Sequence, residues 1–307
     1  MNAAGHHQVP LRHLLLALAV VFVWGTNFTV IRVALDELPP LLFATLRFLF
    51  ALLPMVFFIR RPAVSWRSLA AYGVLIGVGQ FGLLYIAMNG FISPGLASLV
   101  VQSHVFFTIL LAMIFAREKL RLFQIVALSL SVLGIVIIIE HGDASATPFG
   151  LALTLIAALS WGIGNHVAKQ SGATDMLGFV VWASLFAVPP LFVASLMLEG
   201  WPAISGAVAH AGPMAWGAVL WQSVGNTMFG YAAWGWLLAR HPAAAITPTA
   251  MLVPIVGMAT SAIVLGEALP GWKIAAAALV IGGLSLNVLW PLAARLPGFP
   301  WRGGAGA

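Results

Sequence analysis

Two ionisable side chains stand inside long apolar stretches of this sequence. Arg47 lies seven residues after Pro40, and His104 lies near the middle of the run that ends at Leu120. A guanidinium can hold a carboxylate through two parallel hydrogen bonds, and an imidazole can donate, accept or take up a proton near neutral pH. These residues could therefore hold an anionic group or relay a proton.

Each of the two also has a purely structural interpretation. Arg47 could clamp the carbonyl groups of neighbouring helices, and His104 could be a neutral imidazole that bonds the next helix. His104 shares a broad polar arc with Ser98, Gln102 and Thr108, which favours a cavity-lining position. The sequence leaves these alternatives open.

Amides and indoles extend the set of candidates. Trp161, Asn165 and Lys169 follow one another at a spacing of four, as do Gln222, Asn226 and Gly230, so each trio shares one helix face. Their alternative role is hydrogen bonding between helices. The candidate binding residues are Trp24, Asn27, Arg47, Gln80, His104, Trp161, Asn165, Gln222 and Asn226.

The elements that must position these side chains are membrane-spanning helices. Of the 307 residues, 62% are hydrophobic and 7% are charged, whereas a soluble domain carries about 25% charged residues. Apolar runs of about 20 residues suit a bilayer core about 30 Å thick, and they lack the alternation of barrel strands. The ten runs are 14–35, 40–59, 69–88, 96–116, 122–139, 149–167, 177–198, 215–238, 243–265 and 272–290. The predicted fold is an all-α integral membrane protein.

Charge placement predicts the orientation of the ten spans. With the N-terminus in the cytoplasm, eleven of the 14 lysines and arginines fall on cytoplasmic sides. The acidic residues Glu37, Glu199 and Glu267 fall outside. Because basic residues accumulate on the cytoplasmic side, both termini are expected there. The net charge of +6 thus reflects membrane orientation, and no nucleic acid partner is expected.

Several chemistries have no residues to support them. The chain has no cysteine, no mid-span aspartate or glutamate, and no HExxH, G-x-S-x-G or P-loop motif. We therefore expect no enzyme activity, no metal, no cofactor and no primary pump. The expected partners are the lipid bilayer and a small-molecule substrate, and the expected state is a monomer.

The sequence repeats itself once. Trp24-Gly25 and Arg32 recur 137 residues later as Trp161-Gly162 and Lys169, and Glu118 and Gly134 recur 149 residues later as Glu267 and Gly283. A longer connection at residues 199–213 accounts for the difference. The repeated unit is five helices, residues 1–140 and 141–307. Because five is odd, the second copy enters the membrane in the opposite sense, as in many secondary transporters.

Four segments carry a resemblance to a known family. They are VVFVWGTNFTVIRVAL, LPPLLFATLRFLFAL, GLASLVVQSHVFFTILLAMIFAREKL and SWGIGNHVAK. The chain resembles the drug/metabolite transporter superfamily, and within it the ten-helix EamA family, from about residue 14 to 290. It is most similar to the cysteine and O-acetylserine exporters, with aromatic amino-acid exporters nearby. The resemblance implies alternating-access export of amino acids or related metabolites through the bacterial inner membrane, with export of other metabolites or drugs as the alternative. A channel or membrane enzyme is the alternative of a different class.

Overall fold

The computed structural model describes residues 9–116, 121–141 and 145–293. Within these ranges the chain is helical, and its single β-type contact is an isolated bridge between Ile92 and Ala146. The long helices are α1 (Leu11–Ala34), α2 (Pro40–Leu52), α3 (Trp66–Met88), α4 (Pro94–Val100 and His104–Ala116), α5 (Leu122–Glu140), α6 (Pro148–Ser171), α7 (Met176–Leu198), α8 (Pro213–Arg240), α9 (Ala243–Leu265) and α10 (Gly271–Ala293).

These helices match the predicted spans and confirm the fold class. In the described part of the chain, nine spans are long and apolar enough to cross a bilayer, with α2 extended through the following turn to Phe57. The remaining helix, α8, meets that criterion only together with the short helix Trp201–His210, across a bend of 101°. Two amide side chains, Gln222 and Asn226, lie in the middle of this helix. The short helix occupies the connection that the sequence predicted only as a longer loop.

The helices pair in a pattern that is unchanged when the two halves are exchanged. Helix α1 packs on α9 as α6 packs on α4, and α1 packs on α8 as α6 packs on α3. Helix α2 packs on its own counterpart α7, and α5 packs on its counterpart α10. Gly134 of α5 faces Val280 of α10, and its repeat partner Gly283 faces Ala127 of α5. The predicted glycine pair, Gly134 and Gly283, therefore lies in the contact between α5 and α10, the last helices of the two repeats.

The same helices of both repeats contain irregular backbone. A π-helical segment occupies Leu75–Gly82 in α3 and Trp221–Phe229 in α8. A 3-10 segment interrupts α4 at Val101–Ser103 and α9 at Thr247–Leu252. Non-helical backbone at membrane depth is tolerated where protein buries it or where it lines a cavity, and π segments are frequent at functional sites. The irregular segments of α3, α4, α8 and α9 therefore indicate that a functional site lies in the interior between the repeats.

Three glutamates tie the two repeats together at one end of the molecule, which we call the glutamate end. Glu199 accepts hydrogen bonds from the backbone N–H groups of Leu41 (2.6 Å) and Leu42 (3.0 Å) at the start of α2. Glu37 accepts from Gly212 N–H (2.5 Å) just before α8. These carboxylates satisfy N–H groups that a helix start leaves free, and their charge suits the helix dipole.

Glu267 caps the start of α4 and also closes a buried ion pair. It accepts from Ser93 Oγ (2.5 Å), from Gly95 N–H (2.9 Å) and from Lys273 Nζ (3.0 Å), and Ser261 Oγ donates to it as well. Burial alone would raise the pKa of Glu267, but these donors together hold that pKa below its ordinary value. Its predicted repeat partner, Glu118, lies outside the described residues.

The two repeat-related contacts between helices differ in their spacing. A Cβ atom added at Gly79 of α3 would lie 2.6 Å from Ser160 Oγ and 2.7 Å from Ser160 Cβ of α6. The equivalent contact joins Gly225 of α8 to Val23 of α1, and there the nearest valine atom is 3.7 Å away. Valine is larger than serine, so equal spacing would bring its atoms closer. At this level, helix α8 therefore stands further from α1 than α3 does from α6.

This difference predicts opposite effects of one substitution at matched positions. Gly79→Ala should lower the free energy of unfolding by about 1–3 kcal/mol, because the added methyl overpacks the contact with Ser160. Gly225→Ala should be neutral or stabilising, because alanine is favoured over glycine in a helix by about 1 kcal/mol. Thermal unfolding of the detergent-solubilised protein measures both. Equal shifts for the two variants would contradict the spacing difference.

Candidate functional site

Arg47 of α2 lies at the centre of the candidate site. The residue is 1% exposed. Its Nη1 donates to the Tyr85 hydroxyl (3.2 Å), its Nη2 donates to Thr227 Oγ1 (3.1 Å), and its guanidinium carbon lies 3.7 Å from the centre of the Phe81 ring. Its Nε atom is buried and has no partner. The guanidinium thus joins α2 to α3 of its own repeat and to α8 of the other.

No carboxylate balances this buried charge among the described residues. The two ion pairs found there are Arg32 with Asp36 and Lys273 with Glu267. A buried cation costs several kcal/mol unless an anion and hydrogen bonds compensate it. Two neutral hydroxyls and an aromatic ring supply part of that compensation. An anionic group that entered this region would supply the rest, and would meet a donor, Nε, that is free.

Arg47 does bridge helices, as its structural interpretation required, but through different partners. The sequence predicted a clamp on backbone carbonyls, whereas the two partners of the guanidinium are side-chain hydroxyls. The Thr227 hydroxyl accepts from Arg47 and itself donates to the Gln222 carbonyl (3.0 Å), so it is a neutral acceptor that leaves the guanidinium charge without an anion. The arrangement therefore holds Arg47 in place without saturating it.

Aromatic side chains wall the region around Arg47. The Phe43 ring stacks on Tyr85 at 4.9 Å between centroids, and the Trp24 indole lies 6.1 Å from the Tyr231 ring and 5.3 Å from that of Trp234. The Trp24 indole N–H donates to the backbone oxygen of Asn226 (3.2 Å). This bond fixes the register of α1 against α8, so that Trp24 and Asn226 lie at the same depth.

Unpaired amides lie further along the same two helices. Gln222 is fully buried, and neither its Nε2 nor its Oε1 has a hydrogen-bond partner. Asn27 Oδ1 is also buried and unpaired. Asn27 lies three residues beyond Trp24 on α1, about 4.5 Å nearer the glutamate end. Gln222 lies four residues before Asn226 on the π segment of α8 and is also nearer that end, so the two amides lie at similar depths. Buried polar groups of this kind normally have partners, and a polar ligand could supply them.

His104 belongs to a second group, between α4 and α6. Its ring stacks on Trp161 with 3.6 Å between centroids, and its Nδ1 is buried without a partner. The residue follows directly on the 3-10 segment of α4, and Gly162 of α6 lets the two backbones approach closely at the same level. The contact with the neighbouring helix is therefore a ring stack, where the sequence predicted a hydrogen bond as the structural alternative.

The structure thus brings the predicted residues together in two groups. Trp24, Arg47, Gln222 and Asn226 converge around α8, and His104 and Trp161 meet between α4 and α6. Gln80 is buried on the π segment of α3 beside Phe81, and Asn165 is half-buried one turn from Trp161. The described residues include no cluster of three or more histidines and acids that could hold a metal ion.

Sequence reasoning missed Phe81, Tyr85, Thr227 and Tyr231. A signal for two of them was present: Val78-Gly79-Gln80 with Tyr85 recurs 146 residues later as Val224-Gly225-Asn226 with Tyr231. The recurrence falls on the two π segments, and its spacing lies between the other two repeat spacings. It would have placed an amide and a tyrosine from each repeat at equivalent positions.

Comparisons with known proteins agree with this architecture. The sequence profile described as "EamA-like transporter family" matches residues 11–140 and 148–289. A Salmonella typhimurium protein named "Probable amino-acid metabolite efflux pump" is 39% identical, over 89% of this chain and 93% of its own length. An Escherichia coli protein of the same name is 36% identical, over 94% and 95%. One solved structure shares the fold with a TM-score of 0.62, 16% identity and coverage of 93% of this chain and 99% of its own.

Proposed function

The chain belongs to the EamA-like transporter family, and we propose that it exports amino acids or related small metabolites across the membrane by alternating access. It is a multi-pass membrane transporter rather than an enzyme, as the sequence predicted. The names of the two relatives support the amino-acid branch of the family. Export of cysteine and O-acetylserine in particular is our proposal from the resemblance in the sequence.

A single observation supports the choice of substrate class: the buried guanidinium of Arg47 has no carboxylate partner among the described residues. The α-carboxylate of an amino acid can supply the missing anion through a charge-assisted hydrogen bond. The unpaired amides of Asn27 and Gln222 lie on facing helices at one level and can bond polar groups of the substrate. The rings of Trp24 and Tyr231 form an apolar wall for its side chain.

The position of the polar residues supports a path between the repeats. Arg47 comes from the first repeat, while Thr227, Gln222 and Asn226 come from the second. A substrate held by both repeats can be exposed to either side when one repeat tilts against the other. We assign residues 1–140 and 141–307 to the two repeats. We also propose a monomer in the bacterial inner membrane, with both termini in the cytoplasm.

Flux measurements in liposomes test the proposal. The purified protein is reconstituted, and uptake is followed for a panel of labelled amino acids, with the matching amino-acid amides and decarboxylated amines as controls. Saturable flux of at least one amino acid, with much weaker flux of its amide, is the expected result. Saturable flux confined to substrates that lack a carboxylate would instead favour the alternative, an exporter of other metabolites or drugs.

The same liposomes test proton coupling, which the sequence left open. A pH gradient that drives accumulation of the amino acid, and a loss of that drive in His104→Ala, would assign a proton-relay role to His104. Equal flux with and without the gradient would remove that role and leave facilitated diffusion.

A further inference from the structure

A groove opens on the side of the molecule between α1, α8 and α9, near the glutamate end. It has a volume of about 470 Å³. Its lining residues are Phe22, Thr26, Thr29, Val30, Val33, Pro213, Met214, Gly217, Ala218, Trp221, Thr260 and Val264. We propose that this groove binds an acyl chain of a phospholipid in the leaflet at the glutamate end, which is the outer leaflet in the orientation proposed above.

The chemistry of the lining favours an apolar ligand over a polar one. None of the lining residues is charged. The hydroxyl of Thr26 donates to the Phe22 carbonyl (2.7 Å), and that of Thr29 donates to Thr260 Oγ1 (3.1 Å). The indole N–H of Trp221 has no partner among the described residues, but it is buried and so offers no donor at the surface of the groove. The surface left open is hydrocarbon, which an acyl chain matches and which a zwitterion does not.

The rim of the groove is continuous with the surface that faces the bilayer. Phe22, Met214 and Val264 are 54%, 67% and 62% exposed, and all lie within membrane-spanning helices. In a membrane protein such exposed apolar residues meet lipid tails. The molecules that surround the groove on its open side are therefore phospholipids, at a depth where their acyl chains lie.

The groove lies where α8 is spaced further from α1 than α3 is from α6 at the equivalent level. The wide contact between Gly225 and Val23 lies one turn beyond Trp221 on α8 and beside Phe22 on α1. The repeat-related pair, α3 and α6, is closed by the contact of Gly79 with Ser160. Inverted repeats exchange their conformations in alternating access. If the proposed function holds, the wide spacing passes to α3 and α6 in the alternate state, and a bound acyl chain favours the state described here.

Gly217 provides a way to fill the groove without disturbing its walls. A Cβ atom added there meets no atom within 4 Å, so Gly217→Phe should place its ring in the groove. Gly235, near the other end of the same helix, is equally open and lies outside the groove. Gly235→Phe is therefore the matched control for any general effect of a bulky residue on α8.

Photolabelling tests the site directly and does not depend on transport. The protein is reconstituted in liposomes that contain a phosphatidylcholine with a diazirine in one acyl chain, irradiated, digested and analysed by mass spectrometry. We expect labels to concentrate on the lining residues of α1, α8 and α9, relative to the exposed face of α5 around Val132 and Leu133. Gly217→Phe should reduce the groove labels several-fold, and Gly235→Phe should leave them unchanged.

Two outcomes would overturn the proposal. One is labelling of the groove no denser than that of the α5 face, which is also the result if a second copy of the chain covers the groove. The other is dense labelling that Gly217→Phe does not reduce. Amino-acid flux measured on the same liposomes separates these outcomes from failure of the proposed function, because the labelling pattern requires no transport.

Discussion

Arg47→Met is expected to raise the KM for a transported amino acid by about 10- to 100-fold. A hydrogen bond to a charged group contributes about 1.5–3 kcal/mol, and each 1.4 kcal/mol is about tenfold in affinity. Methionine keeps most of the apolar volume but removes the guanidinium that, in the proposed function, holds the substrate carboxylate. Initial rates of flux over a range of amino-acid concentrations give the KM of each variant.

Two controls separate substrate binding from a structural role of Arg47. The amino-acid amide lacks the carboxylate, so its residual flux should change little in Arg47→Met if Arg47 binds that group. Arg67→Met removes an exposed arginine at the start of α3 and should leave the KM unchanged. If Arg47→Met weakens flux of the acid and the amide equally and also lowers thermal stability, Arg47 is a structural clamp between α2, α3 and α8.

The largest effect on stability is expected at Glu267. Glu267→Ala leaves Lys273, which is 2% exposed, as a buried cation without its anion. Breaking a buried pair by removal of one partner costs about 3–5 kcal/mol. It also removes the acceptor for Gly95 N–H at the start of α4. Thermal unfolding in detergent should show this variant as the least stable of the glutamate-end substitutions.

The exposed pair and a double variant make this prediction specific. Asp36→Asn breaks the pair with Arg32, whose side chains are 38% and 63% exposed, and should cost about 0–1 kcal/mol. The double variant Glu267→Gln with Lys273→Met removes both charges and should recover most of the stability lost in Glu267→Ala. Equal losses in Asp36→Asn and Glu267→Ala would show that burial adds nothing to the Glu267 pair.

The hydrogen bonds and the ion pair of Glu267 should also make the stability of the folded state depend on pH. The donors around Glu267 hold its pKa below the ordinary 4.5, so the folded state favours the charged form. That stability is fully present above the ordinary pKa, and it is lost as the pH falls through the lower pKa of the folded state. The difference in unfolding temperature between the native chain and Glu267→Gln should therefore be constant at neutral pH and shrink only below about pH 4.5.

The sequence by itself determined the fold, its repeat and the class of protein. A charge content of 7% and runs of about 20 apolar residues leave few alternatives to membrane helices. The recurrence of Trp24-Gly25 and of Glu118 and Gly134, with an odd number of helices per unit, determines an inverted repeat. These properties are local or periodic, so the order of residues along the chain is enough to reveal them.

Only the tertiary structure decided what each polar residue contacts. The partners of Arg47 lie 38 and 180 residues away, on α3 and α8, and no spacing along the chain indicates that those hydroxyls meet it. Glu267 was predicted only as the end of a helix, whereas the fold makes it the cap of α4 and the partner of Lys273. The roles of the nine candidate residues in transport remain predictions for the flux measurements to test.

The asymmetry between the repeats is also a property of the tertiary structure. Val23 and Ser160 occupy equivalent places in the sequence, as do Gly225 and Gly79, yet the contact at Gly225 has room for a methyl group and the contact at Gly79 does not. A repeated sequence fixes which helices pair, because each unit buries the same faces. It does not fix their spacing, because the spacing depends on which side chains meet across each pair of helices, and Val23 and Ser160 differ in size.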